Sequence, residues 1–180
     1  MPGLSSSNKI LLIRLAREAV RSRLESGDIP PVSVLEPELM QKRGCFVTLR
    51  KNGLLRGCVG TFEASRPLGE NVVQMALAAA FQDSRFPPVV KNEWKDIRLE
   101  ISVLGPLEKT AAWEDIQIGK HGIYVKSGAR GGTYLPDVAV DQKWSREEFI
   151  INCAREKAGL SPQECAQAEI FRYEVEKILE

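Results

Sequence analysis

An antiparallel sheet with helices packed on it, an α+β arrangement, is predicted by three features of this chain. Asn52-Gly53 joins two strand-like runs, residues 97–103 alternate apolar and polar side chains, and two long segments carry apolar residues at helical spacing.

In chain order, Ser7 or Asn8 can cap a helix to about Ser26, with Ile10, Ile13, Ala16, Ala19, Val20 and Leu24 on its apolar side and Gly27 stopping it. Asp28-Ile29-Pro30-Pro31 then enforces an extended linker, because proline disfavours helix in the residue before it. The hairpin follows. Asn-Gly tolerates the positive φ of a type I′ turn, so Cys45–Lys51 and Leu54–Thr61 are expected to pair. Counting back from that turn sets Leu49 opposite Arg56, Val47 opposite Cys58 and Cys45 opposite Gly60, all on one face. Cys45 and Cys58 would then be diagonal neighbours roughly 7 Å apart, too far for an unstrained disulfide. Cys58 is expected to be a free thiol.

Ser65 can cap a second helix to about Gln82, alanine-rich and apolar on nearly every side, so a central helix is expected there. Asp83-Ser84-Arg85-Phe86-Pro87-Pro88 breaks it. Strand 97–103 ends at Gly105-Pro106, short strands are expected near 116–118 and 122–126, and a glycine-rich turn at 128–132 leads to Thr133-Tyr134-Leu135. That second hairpin has the character of the edge of a smaller lobe. Ser145-Arg146-Glu147-Glu148 matches a capping box that opens a helix to about Ala158, and residues 169–176 alternate as a final strand. The chain is expected to form a single domain over 1–180, with a larger lobe at about 8–106 plus 140–180 and a smaller one at about 107–139.

Composition narrows the function. Lys+Arg 25 against Asp+Glu 24 leaves a net charge of +1, which gives no general footprint for nucleic acid or an anionic membrane. No apolar run reaches membrane-spanning length and the first residues lack a leader pattern, so a cytoplasmic location is expected. The cysteines at 45, 58, 153 and 165 form no CxxC pair and have no histidine cluster, so neither a metal site nor a cofactor is signalled.

Several segments together resemble one family. Leu55-Arg56-Gly57-Cys58-Val59-Gly60, the 78–81 helix end running into Asp83–Pro88, Ile101-Ser102-Val103-Leu104, Gly119-Lys120-His121-Gly122 and Leu135-Pro136 are similar to the AMMECR domain family, in prokaryotes also called AmmeMemoRadiSam system protein A. The likeness covers most of the chain and is loosest over 152–160. It implies one AMMECR-type domain with an α+β fold of two subdomains, an intracellular location, and association with a Memo-like protein and a radical S-adenosylmethionine enzyme.

Two chemistries follow for the residues of these segments. In the first, Cys58 is a nucleophile and His121, the one histidine of the chain, its base, held in an exposed turn. In the second, Arg56, Gly57, Gly60, Glu63, Asp83, Arg85 and Phe86, with His121, line a polar cleft that binds an anionic small molecule or a segment of a partner enzyme, for which arginine supplies a rigid fork. Each has a bland counterpart. Arg56 can be a buried arginine paired to a carboxylate, Cys58 a small apolar side chain, and Asp83 and Arg85 a helix-terminating turn that satisfies itself.

Overall fold

The structure, a computed structural model, describes residues 3–29, 31–32, 36–62 and 65–180. It is an α+β protein of mostly antiparallel strands flanked by helices. The chain divides into a larger unit, Met1–Leu104 with Glu176–Glu180, and a smaller unit, Gly105–Val175.

In the larger unit, helix α1 (Ser6–Glu25) is capped by Ser5, whose side chain accepts the Asn8 N–H. A short α2 (Pro37–Met40) precedes the hairpin of β1 (Cys45–Lys51) and β2 (Leu54–Thr61). Asn52 and Gly53 have φ of 52° and 80°, the conformation that the type I′ turn requires. Helix α3 (Leu68–Phe81) starts directly after Pro67 rather than at Ser65. Strand β3 (Ile97–Leu104) pairs with the other side of β1, so β2 is left as the outer strand. Val47 and Leu49 of β1, Leu99 and Ile101 of β3, Leu12 and Ala16 of α1 and Val72 and Ala76 of α3 are fully buried in one cluster. At about 25 cal/mol per Å² of apolar area, burial of this kind is the main force holding helices to the sheet.

The hairpin register departs from the count made from the turn. Lys51 does face Leu54, and Arg50 faces Leu55, but a bulge then leaves Arg56 unpaired and sets Leu49 against Gly57, Thr48 against Cys58, and Cys45 against Thr61. One extra residue reverses every later side chain. Cys58 is therefore on the face opposite Cys45, which is buried among Val47 and Leu49.

The smaller unit contains β4 (Glu108–Lys109), β5 (His121–Ser127), β6 (Arg130–Tyr134), α4 (Pro136–Asp141), α5 (Arg146–Asn152) and α6 (Pro162–Ala166). The last strand, β7 (Glu169–Leu179), pairs with β4 and β5 through residues up to Glu174. No strand forms at 116–118; Trp113–Asp115 is a single 3₁₀ turn and Ile116 is buried after it. Residues 140–175, expected with the larger lobe, cluster here because Phe149, Ile150, Cys153 and Ala154 pack with Ile123, Val125 and Ile170. Helix α5 is also shorter than expected and continues as a π-helical turn, Cys153–Lys157. It runs close to β6: a Cβ at Gly132 would lie 2.4 Å from the Lys157 backbone.

Candidate functional site

The bulge that breaks the ladder at Arg56 turns its guanidinium toward the 83–93 segment. Its Nη2 donates to Glu93 Oε1 at 2.7 Å and its Nη1 to the Pro87 carbonyl at 2.9 Å, while Lys51 Nζ reaches Glu93 Oε2 at 2.9 Å. Both partners are nearly enclosed, with 13% and 12% of their side chains exposed. The Arg56 guanidinium, then Lys51 and the Val90 N–H, hold the Glu93 carboxyl down at about 2. The bland reading of Arg56 is thus the geometry found: a buried arginine paired to a carboxylate.

Outer strands leave backbone groups without partners, and at Cys58 the Asp83–Pro88 loop supplies them. Asp83 Oδ2 accepts the Cys58 N–H at 2.8 Å, and Arg85 Nη2 donates to the Cys58 carbonyl at 3.0 Å. The two side chains also hold each other, Nε to Oδ1 at 2.9 Å and Nη2 to Oδ2 at 2.7 Å, a two-pronged pair. The Arg85 guanidinium, helped by the Cys58 and Arg85 N–H groups, keeps the buried Asp83 carboxyl far below the usual carboxylate range. Phe86 lies beside this pair, its ring centroid 5.6 Å from the Arg85 guanidinium carbon.

Because its N–H and carbonyl point away from β1, Cys58 faces Thr48 as a non-hydrogen-bonded pair, in which side chains are closest. Thr48 Oγ1 donates to Cys58 Sγ at 3.2 Å. On the next strand Thr48 faces Glu100, whose carboxylate accepts from Arg50 Nε at 2.7 Å. A half-buried thiol, a hydroxyl and a carboxylate therefore stand in one row across β2, β1 and β3. Thr48 and Glu100 were not among the sequence candidates, because the unbulged register put Val47 opposite Cys58.

The glycines of the motif mark close approaches. A Cβ at Gly57 would lie 2.2 Å from the Ala79 carbonyl oxygen of α3, and one at Gly60 would lie 2.1 Å from the Phe46 ring. His121 is not in an exposed turn. It is the first residue of β5, buried, and its Nδ1 accepts the Gln117 N–H at 3.1 Å, which places the neutral ring's proton on Nε2. Burial, then the cations Arg172 and Lys120, push its pKa down. His121 belongs to the smaller unit and Cys58 to the larger one. Glu63 lies outside the described residues. Among the described residues no cluster of histidine, cysteine and carboxylate side chains could hold a metal ion, and no helix is long and apolar enough to cross a membrane.

These features define a two-unit α+β protein whose outer strand carries a half-buried thiol between glycines, its peptide held by a neighbouring Asp–Arg pair. The chain belongs to the AMMECR1 family, whose profile matches residues 13–178. Protein MK0488 of Methanopyrus kandleri is 43% identical over 164 residues, 84% of this chain and 77% of that protein. Protein PF1979 of Pyrococcus furiosus is 39% identical over 162 residues, 84% of this chain and 77% of its own length. The crystal structure of the uncharacterized protein PH0010 from Pyrococcus horikoshii superposes with a TM-score of 0.88 at 33% identity, covering 97% of this chain and 92% of that one.

Proposed function

We propose that this protein is a binding or adaptor component acting in the cytoplasm alongside a Memo-like protein and a radical S-adenosylmethionine enzyme. Its contact surface is the outer face of β2, where Cys58, Arg85 and Phe86 meet an anionic group of a small molecule or of a partner segment. The observation that carries this reading is that Arg56, Asp83 and Glu93 are occupied with one another and with backbone, whereas Arg85, with 54% of its side chain exposed, keeps Nη1 without a hydrogen-bond partner among the described residues. Arg56 would bind a ligand only by giving up Glu93 and the Pro87 carbonyl. Its task is to fix the loop that presents Arg85.

A second reading, an enzyme with Cys58 as nucleophile and His121 as base, is favoured by one contact. The Thr48 hydroxyl donates to Sγ, a bond that strengthens if the sulfur becomes anionic.

Isothermal titration of the purified Memo-like protein from the same organism into the full chain tests the first reading. Arg85→Ala should weaken binding at least tenfold, and Cys58→Ala should change it less than threefold, with melting temperatures recorded for both. Absence of binding by the unaltered chain, or loss only with Cys58→Ala, would refute it.

A further inference from the structure

The smaller unit has a pocket of its own. It has a volume of about 280 Å³, and Trp113, Ile151, Ala154, Leu160 and Cys165 form its wall. Ile151, Ala154 and Arg155 reach it together because residues three and four apart share a helix face, and α6 closes the other side with Cys165 and Ala166. Ile151 is 45% exposed, a large apolar side chain that the fold leaves uncovered. Among the described residues lining the pocket, Arg155 is the one ion. Its Nη2 is anchored by Asn152 Oδ1 at 3.0 Å and Glu156 Oε1 at 3.1 Å, while Nη1 and Nε make no hydrogen bond among the described residues.

We infer that this pocket binds a small aromatic or branched aliphatic monocarboxylate, the apolar part against Trp113, Ile151 and Leu160 and the carboxylate on Arg155. The inference rests on the smaller unit alone and not on the reading of Cys58. Three observations choose this occupant. The volume equals that of about nine waters in the liquid, room for a ligand of roughly ten heavy atoms, at the small end of ligand sites. The mouth carries a cation and no lining carboxylate, so an acid is favoured over an amine or a neutral hydrocarbon. Glu156 offsets part of the Arg155 charge, but its carboxylate is also occupied by the Tyr134 hydroxyl at 2.7 Å. The wall is mostly apolar as well, and burial raises the Cys165 thiol pKa, so no thiolate competes for Arg155 at neutral pH. The neighbouring π-helical turn widens the backbone beside this wall, a distortion frequent at functional sites.

The test is an NMR titration of the ¹⁵N-labelled full chain with phenylacetate and, separately, with phenylacetamide. Phenylacetate should give saturable shifts at Ala154, Cys165, Ala166 and the Trp113 indole, with affinity at least tenfold above that of the amide. Arg155→Gln, at a side chain 66% exposed and so without threat to folding, should remove that preference. Ala166→Phe, at an exposed position, should fill the pocket and abolish the shifts. No saturable response at these residues would overturn the inference. So would a preference below tenfold, as expected of a pocket that anchors an apolar side chain of a protein partner, or binding that survives Ala166→Phe.

Discussion

The carboxylate of Asp83 accepts the N–H of Cys58 at 2.8 Å across 25 residues of chain, joining the end of α3 to the middle of the outer strand. Arg85 completes the connection from the carbonyl side, at 3.0 Å. Asp83→Ala should therefore cost about 2–3 kcal/mol and expose the Cys58 amide, since a buried donor and Arg85 lose their acceptor together. Asp83→Asn, which keeps an acceptor oxygen, should cost roughly half of that. Urea unfolding and hydrogen exchange at the Cys58 amide check both.

Among the carboxyls with lowered pKa, those of Glu93 and Asp83 are the most enclosed and should contribute to the acid limb of stability. Their folded pKa values lie below the unfolded ones, so their contribution is complete above the unfolded pKa and is lost as pH falls through the folded value. For Glu93 that window runs from its ordinary 4.5 down to about 2. Glu93→Gln should flatten the stability profile in this window, measured by denaturant unfolding from pH 6 to pH 2. Arg56→Ala should cost about 2–3 kcal/mol at pH 7, because it leaves the nearly enclosed Glu93 to Lys51 and the Val90 N–H and frees the Pro87 carbonyl, and Lys51→Ala, at a more exposed partner, under about 1 kcal/mol.

The glycines separate by what a side chain would strike. Gly57→Ala places a methyl 2.2 Å from a helix carbonyl that cannot move alone, and should cost more than about 3 kcal/mol. Gly60→Ala meets the Phe46 ring at Cδ1 and Cγ, so the clash is relieved only by swinging the whole Phe46 side chain to another rotamer, and should cost about 1–3 kcal/mol. Paired thermal melts distinguish them.

For His121 the sign is that of a base buried neutral. Its folded pKa is lowered, so its contribution is complete above its ordinary pKa near 6.5 and falls as pH drops below it. His121→Gln should remove this slope between pH 7 and pH 5 in denaturant unfolding.

Much of the fold could be read from residues. Asn52-Gly53 located the hairpin because its backbone demand is local, and the alternation of 97–103 located β3 because a half-buried strand needs it. The register could not be read, since a bulge is decided where Arg56 finds Glu93 and Gly57 admits the Ala79 carbonyl, both distant in sequence. That slip hid the Cys58–Thr48 contact. His121 was misplaced for a similar reason: Gly119, with φ of 81°, announces a turn, but the burial of the next strand depends on what packs on it. The membership of 140–175 was equally unreadable, because an amphipathic helix does not name its partner.

The most direct measurement is the rate of Cys58 alkylation by iodoacetamide from pH 6 to pH 9, in the native chain and in His121→Asn, with Cys165 as reference because Cys45 is buried. The binding reading predicts that the two rate profiles agree within threefold at every pH, since the sulfur is partnered by Thr48 and the His121 ring by Gln117. A tenfold or greater loss of Cys58 reactivity in His121→Asn, with Cys165 unchanged, would contradict it and establish Cys58 as a nucleophile served by His121.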